Sequence, residues 1–213
     1  MKKTLISLLL LLSVGLHAQA QLKYKPHKKK DYVVTISTRL GDIKMILFDD
    51  ALQHKKNFLK LASQHFYDST SFHRVLDGFM IQGGDPNTKP SNDSTRIGMG
   101  GPGYELNAEL NTPYKHERGM VAAARQNDSV NPNKKSSGSQ FYIVQANEGA
   151  HHLDGAYTIF GQVISGMEVV DVIAAEDVDR SARPLEPIRM SVSLERMKKK
   201  DITKEFGYEY KGK

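Results

Sequence analysis

The stretch SFHRVLDGFMIQGGD, covering Ser71–Asp85, is the most informative part of this chain. Arg74 lies there among apolar residues, and Gln82 precedes a Gly-Gly turn. A second block, GSQFYIV, covers Gly138–Val144. Neither block contains a cysteine nucleophile or an obvious cluster of metal ligands. An apolar pocket with one fixed cation suits chemistry in which no bond to a side chain breaks, and rotation about a peptide bond is such chemistry.

Length and charge limit the classes of protein to consider. The chain has 213 residues and a formal net charge of +6, which is enough length for one domain with a sizeable core. Lysines cluster near both ends, at Lys28–Lys30 and Lys198–Lys200. No aromatic residues interleave these lysines, which favours solvated tails over a nucleic-acid-binding arm.

The N-terminus has the pattern of a secretory signal peptide. Lys2 and Lys3 precede an apolar run over Leu5–Leu12, and the triplet AQA ending at Ala20 is a small-x-small cleavage site. The run is too short for a comfortable membrane span, although an uncleaved anchor is the alternative. The chain has no cysteine, which excludes disulfides, thiol catalysis, thiolate metal ligands and a lipoprotein anchor. We therefore expect export to the periplasm of a Gram-negative bacterium and cleavage after Ala20.

Hydrophobic periodicity predicts many short strands and two helices. Alternation predicts a β-hairpin over 32–48, and Asp49 or Asp50 could cap a helix running to about Gln64. A second helix is predicted over 166–175. The remaining strands are predicted in 71–81, 119–125, 140–145, 157–164 and 188–194. This pattern favours an all-β fold with a closed antiparallel sheet over a doubly wound α/β fold.

The chain is predicted to form one domain between two tails. A basic flexible tail is predicted over 21–30, the domain over 31–197 and a polar tail over 198–213.

Three short patterns are better explained by structure than by chemistry. Gly98–Gly103 matches the dinucleotide-binding pattern G-x-G-x-x-G, but no strand precedes it and no clear helix follows, so a tight loop is favoured. His151-His152-Leu153-Asp154 is too compact for a good metal site, since neighbouring residues rarely ligate one ion well. Ser139 lacks the nucleophile-elbow pattern of a hydrolase. We expect neither a metal nor another cofactor.

Five motifs follow one another along the chain. They are FHRV with GFMIQGGD (72–85), GGPGY (100–104), GMVAAAR (119–125), GSQFYI (138–143) and LDG leading to FG (153–161). With these motifs the chain resembles the cyclophilin family of peptidyl-prolyl cis-trans isomerases, and the match covers about Asp31 to Met197. The resemblance implies an eight-stranded closed barrel capped by two α-helices, with isomerisation of X–Pro bonds as the activity.

Carried over by position, the resemblance also implies functional residues. Arg74 would be catalytic, and Gln82 would support it and bond the substrate backbone. Ala124 and Arg125 would line the groove for the residue before proline, with Gln140 beside them. The proline pocket and its surroundings would be formed by the remaining substrate-binding positions, namely Phe79, Met80, Tyr142, His152, Leu153 and Tyr157.

Three positions differ from the best-known eukaryotic pattern. His152 replaces a tryptophan that contacts the inhibitor cyclosporin, Tyr142 replaces a phenylalanine of the pocket, and Arg125 replaces an asparagine. The 127–138 loop is also longer than usual and carries Lys134 and Lys135. These differences bear on drug sensitivity and substrate access more than on catalysis.

The expected partners are proline-containing polypeptides, such as unfolded or flexible client proteins that are being exported. We expect a monomer that binds no nucleic acid and does not insert stably in the membrane after cleavage. A proline-peptide-binding chaperone module with little turnover is the alternative function. Because both functions predict peptide binding, only a rate assay separates them.

Overall fold

The computed structural model describes residues 24–92 and 94–210, so the predicted leader at 1–20 lies outside the described residues. The helices are α1 (Leu52–Ser63), α2 (Met167–Ala174) and α3 (Lys199–Phe206). The strands are β1 (Lys30–Thr38), β2 (Gly41–Leu47), β3 (Ser71–Phe72), β4 (Arg74–Leu76), β5 (Met80–Gly83), β6 (Glu105–Leu106), β7 (Met120–Ala123), β8 (Ser136–Ser137), β9 (Phe141–Val144), β10 (Ile159–Ser165) and β11 (Ile188–Lys198).

Nine of the strands form one large antiparallel sheet in the order β3-β11-β1-β2-β10-β7-β9-β5-β4, and β6 pairs with β8 separately. The two strands at the ends of this order, β3 and β4, are successive in the chain and only His73 separates them. The His73 backbone N–H donates to the carbonyl oxygen of Gln82 in β5 at 2.9 Å. The sheet has nine strands instead of the expected eight because the extended segment after Ser71 is interrupted at His73.

The predicted hairpin forms as β1 and β2, and its register pairs Val34 with Met45 and Ile36 with Ile43. β11 then pairs with the whole length of β1, from Lys198 opposite Lys30 to Met190 opposite Thr38. The apolar alternation that predicted this last strand ends at Leu194. Backbone pairing therefore extends β11 four residues beyond the part that apolar alternation could predict.

The central strands β7, β9 and β5 are apolar on both faces, which is why the sequence shows continuous apolar runs there instead of strict alternation. In β9, Phe141 and Ile143 belong to the main core, whereas Tyr142 and Val144 belong to a second cluster on the opposite face. This second cluster also contains Met80 of β5. Helix α1 adds Phe58 to the main core, and the second cluster lines the site described below.

Helix α1 begins differently from the sequence prediction. Its N-cap residue is Ala51, and neither Asp49 nor Asp50 caps it. The carboxylate of Glu109 instead accepts hydrogen bonds from the backbone N–H groups of Gln53 and His54, at 3.1 and 3.0 Å. Since free N–H groups at a helix start need acceptors, a distant glutamate replaces the local cap that the sequence suggested.

Both predicted tails contain ordered structure. Residues 199–206 form the third helix, α3, where two helices had been expected, because Ile202 is buried against Val33 and Ile46. At the other end, the Tyr24 hydroxyl donates to Asp49 at 2.7 Å, and Lys30 already belongs to β1. Only one buried isoleucine marks α3 in a polar run, so periodicity did not predict it. Among the described residues, no helix is long and apolar enough to cross a membrane.

Candidate active site

A small cavity opens over the second cluster, on strands β4, β5, β7 and β9. Its volume is about 180 Å³, which is smaller than the range of about 300–1,000 Å³ that is usual for drug-sized ligands. It fits one small side chain. The cavity is lined by nine of the eleven predicted site residues, namely Arg74, Phe79, Met80, Gln82, Ala124, Arg125, Tyr142, Leu153 and Tyr157.

The other two predicted residues lie at the margins. Gln140 lines a second, larger cavity of about 500 Å³ that shares Gln82, Ala124 and Arg125 with the first. His152 is exposed, and its ring centroid lies 5.4 Å from that of Phe79. The structure therefore brings ten of the eleven residues together in one groove with two compartments and places His152 beside Phe79 at its rim.

Arg74 lies at the edge of the small cavity and is exposed. The sequence left open whether this arginine is buried, and the pairing of β4 with β5 places it directly opposite Gln82. Its Nη1 is 3.5 Å from Gln82 Oε1, the long limit for a hydrogen bond. Within residues 24–92 and 94–210, Arg74 makes no ion pair. Its guanidinium is therefore available to a ligand.

A chain of amides fixes the floor between the two cavities. Gln82 Nε2 donates to Gln140 Oε1 at 3.0 Å, and Gln140 Nε2 donates to the Gly100 carbonyl at 2.8 Å. The buried Asp85 carboxylate accepts backbone hydrogen bonds from Gly98 and Gly100. A Cβ at Gly100 would clash with this carboxylate. The G-x-G-x-x-G pattern thus forms a tight loop around Asp85, as predicted.

Tyr142 and Tyr157 form an aromatic wall of the cavity, with ring centroids 5.9 Å apart in an edge-to-face arrangement. The Tyr142 hydroxyl lies 2.9 Å from Nε2 of His116, a fully buried residue. His116 Nδ1 lies 2.9 Å from Asp154 Oδ1, which also accepts the His116 backbone N–H at 2.8 Å. The buried Tyr142 and His116 and the partly exposed Asp154 therefore form a hydrogen-bonded relay of three side chains behind the pocket wall.

The charge states in this relay fix the direction of each hydrogen bond. Burial opposes ionisation of Asp154, but hydrogen bonds from His116 and His151 outweigh it and lower the pKa of Asp154 to about 2. Burial also lowers the pKa of His116, against the effect of Asp154. The carboxylate can only accept, so Nδ1 of the neutral imidazole carries the proton and Nε2 accepts from Tyr142. Because the tyrosine hydroxyl is engaged by His116, tyrosine can line an apolar cavity in the place of phenylalanine.

Arg125 lies on the other side of the cavity, with its side chain 5% exposed. Its Nε donates to the Ala156 carbonyl and its Nη1 to the Gln126 carbonyl, each at 2.8 Å. The guanidinium also pairs with Asp128 at 2.6 Å and lies 4.5 Å from the Tyr157 ring centroid. Arg125 therefore acts as a fixed wall and has few donors left for a ligand.

Sequence reasoning missed two groups of residues at this site. His116 had no signal of its own, and Asp154 was noted as part of the LDG motif and as a possible metal ligand but was given no role at the site. The larger cavity is also lined by Met99, Tyr104 and other residues of the glycine-rich loop, which the sequence indicated as a tight loop and a family motif but not as site residues. Among the described residues no group of three or more histidine, aspartate or glutamate side chains could hold a metal ion, and independence from metals stays a prediction.

Comparison with known proteins identifies the sequence family. Residues 33–193 match the family described as cyclophilin type peptidyl-prolyl cis-trans isomerase/CLD. The chain is 41% identical over 163 residues to peptidyl-prolyl cis-trans isomerase CYP18-1 of Arabidopsis thaliana, covering 74% of this chain and 92% of the relative. It is 40% identical over 128 residues to peptidyl-prolyl cis-trans isomerase B of Bacillus subtilis, covering 60% and 78%.

A solved structure resembles the fold as well. The cyclophilin type isomerase of Cryptosporidium parvum, crystallised in the presence of the dipeptide Ala-Pro, has a TM-score of 0.65 and 33% sequence identity. The match covers 76% of this chain and 98% of that protein.

Proposed function

This chain belongs to the cyclophilin family of peptidyl-prolyl cis-trans isomerases, and we propose that Arg74 and the small apolar cavity catalyse rotation of X–Pro bonds in exported polypeptides. Isomerase activity is the function of the family and of this chain. The assignment of roles to individual residues, the location and the clients are our proposal. The observation that supports the roles best is the free, exposed Arg74 at the edge of a cavity that fits one small ring.

The proposed mechanism follows from the electronic structure of the amide. Amide resonance sets a rotation barrier of about 18–20 kcal/mol, so uncatalysed X–Pro isomerisation takes tens to hundreds of seconds and can limit folding. In the twisted transition state the prolyl nitrogen no longer shares its lone pair and becomes a hydrogen-bond acceptor. A guanidinium aimed at that nitrogen binds the twisted state better than either planar state, and such differential binding lowers the barrier.

The pocket residues have separate roles in this proposal. Phe79, Met80, Tyr142 and Leu153 hold the proline ring while the acyl side rotates. Gln82 orients Arg74 and bonds the substrate backbone, and its own amide is oriented by the 3.0 Å hydrogen bond to Gln140. Arginine suits the catalytic position because it stays charged and presents rigid donors. No covalent intermediate is required.

We also infer that the sheet closes into a barrel. Its first and last strands, β3 and β4, are successive in the chain, and the His73 N–H joins this segment to β5. If β3 and β4 are counted as one strand bent at His73, the sheet has the eight strands that the resemblance implies. Closure would also satisfy the strand edges.

Export to the periplasm is the proposed location. It rests on the charged start, the apolar run and the AQA triplet of residues 1–20. Fractionation of a Gram-negative host that expresses the full chain should recover an envelope species whose intact mass begins at Gln21. A full-length cytoplasmic species would contradict the proposed location and leave the isomerase activity unaffected.

A protease-coupled proline-isomerisation assay tests the catalytic proposal. The chain from Gln21 onward should accelerate the cis-to-trans step of a proline tetrapeptide, and a chelator should leave the rate unchanged. Peptide binding without acceleration would favour the chaperone module with little turnover. Loss of the rate on chelation, with recovery on addition of zinc, would overturn the proposed independence from metals.

A further inference from the structure

The fold brings together two lysine runs that are separated in sequence by the 167 residues 31–197. Strand β1 begins at Lys30 and β11 ends at Lys198, and these two residues are directly paired across the sheet. The Lys199 backbone N–H then donates to the Lys29 carbonyl at 3.0 Å. Lys28–Lys30 and Lys198–Lys200 therefore form one surface, the basic patch. Five of its six lysines are exposed, Lys199 being partly covered.

Carboxylates compensate the charge of the basic patch only in part, since Lys28 and Lys199 border a second groove that Asp31, Asp49 and Asp50 also line. None of its six lysines forms an ion pair within the described part of the chain. A groove of about 610 Å³ runs through it, lined by His27 and five of the lysines and by no acidic residue. The nearby Asp31 and Asp49 are occupied by the buried Lys55, at 2.8 and 2.9 Å. The groove thus presents only positive charge and hydrogen-bond donors from its side chains, apart from one imidazole.

Apart from the contact of Lys199 with the Tyr210 ring, the charge of the basic patch does not stabilise the fold. Lys198–Lys200 surround the N-terminus of α3, where the helix dipole disfavours positive charge and Asp201 is the acidic residue of the first turn. Like charges face each other at Lys30 and Lys198, which is also unfavourable in a sheet. The whole chain carries +6, two of which are Lys2 and Lys3 of the predicted leader. When these two lysines and the six patch lysines are left out, the formal net charge of the remaining residues is slightly negative. The excess positive charge of the domain is therefore concentrated on this one surface.

The position of the basic patch close to the predicted leader indicates which anionic surface it binds. Lys28 follows Ala20, the end of the predicted leader, by eight residues. Even a fully extended chain spans less than about 29 Å over that length, so Lys28 stays within this distance of the membrane until the leader is cleaved. We propose that the basic patch binds the anionic phospholipid headgroups of that membrane. Clusters of four to eight basic residues on the cytoplasmic side of a membrane helix bind anionic lipids in this way, and the proposal extends the same charge attraction to the side that the exported chain faces.

Nucleic acid fits the patch less well. Binding of single strands uses exposed aromatic faces on which bases stack. The Tyr210 ring is covered by Lys199, whose Nζ lies 4.4 Å from the ring centroid. The other ring at the patch, that of His27, is held by the protein, because its Nδ1 accepts hydrogen bonds from the backbone N–H groups of Lys29 and Lys30. The patch lies at the end of β11 that pairs with Lys30, whereas β11 pairs with β3 at its opposite end, through Ile188 and Arg189. In the other direction β2 and β10 separate β1 from the groove strands β7 and β9, so binding at the patch leaves the catalytic groove open.

Vesicle co-sedimentation tests the proposal on the chain from Gln21 onward, which retains every described residue. The probes are vesicles of phosphatidylcholine alone and of an equimolar mixture with phosphatidylglycerol. The patch variant is Lys30→Gln with Lys198→Gln. The matched control is Lys56→Gln with Arg180→Gln, which removes the same charge from two exposed residues outside the patch. Circular dichroism and isomerase turnover check that both variants fold.

We expect binding to the mixed vesicles only, weakened by salt. Each juxtamembrane lysine contributes about fivefold, so the patch variant should bind about 25-fold more weakly and the control much less so. Equal binding to both kinds of vesicle, no binding to either, or an equal loss in the control would overturn the proposal. Tighter binding to random-sequence duplex DNA at the same phosphate concentration, lost in the patch variant, would assign the patch to nucleic acid instead.

Discussion

The two arginines of the catalytic groove line the same small cavity. They differ in exposure, in hydrogen bonding and in ion pairing. Arg74 is exposed, its one side-chain hydrogen bond is 3.5 Å long, and it has no ion pair in the described residues. Arg125 is buried and held by two carbonyls, one carboxylate and an aromatic ring. The free guanidinium can respond to a charge that develops during rotation, whereas the held one can only shape the pocket.

This difference separates catalysis from architecture within a single site. A group that stabilises the transition state must keep donors unused in the ground state, since equal binding of both states accelerates nothing. A wall residue has the opposite requirement, because its donors must be satisfied inside the protein when it is buried. Substitutions at the two arginines should therefore have opposite signatures.

The largest expected effect is that of Arg74→Ala. Charge-assisted hydrogen bonds contribute about 1.5–3 kcal/mol, so turnover should fall at least about tenfold, while peptide affinity falls much less and the fold remains intact. Arg74→Lys should also be poor, because one flexible ammonium does not reproduce the planar fork. Turnover and the peptide dissociation constant are measured for both variants, with circular dichroism as control. A folded Arg74→Ala protein with most of its turnover would transfer the catalytic role to the pocket.

Arg125→Lys should show the reverse signature. It loses the hydrogen bonds from the guanidinium to the Ala156 and Gln126 carbonyls, and the free energy of unfolding should fall by about 1.5–3 kcal/mol. Turnover at a temperature where the variant is folded should change less than in Arg74→Lys. Urea unfolding and the isomerase assay measure the two effects. If Arg125→Lys loses as much turnover as Arg74→Lys, the two arginines do not have separate roles.

Tyr142→Phe tests the relay behind the pocket wall. The variant keeps the ring that lines the cavity but leaves Nε2 of the buried His116 without its partner, which should cost about 1–2 kcal/mol of unfolding free energy. The catalytic rate should change by less than about tenfold. Urea unfolding and turnover are again the measurements. A more stable Tyr142→Phe protein would show that the hydroxyl strains the relay instead of stabilising it.

Acid should weaken the fold partly through His116. Burial lowers its pKa in the folded chain, so below about pH 6.5 the unfolded chain binds the proton more readily and folding is disfavoured. His116→Gln removes this group, and its unfolding free energy should fall less than that of the parent protein between about pH 7 and about pH 5. Urea titrations at several pH values measure the slope. An unchanged slope would show that other buried groups dominate the acid response.

The smallest expected effect on catalysis is that of His152→Trp, at the rim of the groove. The residue is exposed, and its ring centroid lies 5.4 Å from that of Phe79 in the pocket. Tryptophan adds apolar area and an indole N–H, so cyclosporin should inhibit the variant more tightly than the parent, with less change in turnover than in inhibition. Inhibition curves for both proteins decide this. Equal inhibition of the two would remove His152 as the reason for weak drug binding.

Local sequence predicted a large part of the fold and of the site. The hairpin over β1 and β2, helices α1 and α2, and the short strands β7, β9 and β10 all form close to the predicted positions. The period-two alternation in β9 also explains why Tyr142 faces the cavity while Phe141 enters the core. These features depend on near neighbours in the chain and are therefore visible in the sequence.

Contacts between distant residues could not be predicted in this way. The cap of α1 is Glu109, and α3 forms because Ile202 is buried against Val33 and Ile46. The relay joins His116, Tyr142 and Asp154 from three separate segments. No local pattern of residue types marks such partners, since only the completed fold determines which polar groups become buried and must be satisfied.

The sequence by itself determined the family, the peptidyl-prolyl isomerase activity and the residues that line the small cavity, because ordered motifs preserve residue identity at each position. The tertiary structure decided which arginine is free and which is held, since this depends on the carbonyls and carboxylate that surround each guanidinium. It also decided that two solvated lysine runs become one surface, because only the pairing of β1 with β11 places the two ends of the domain side by side.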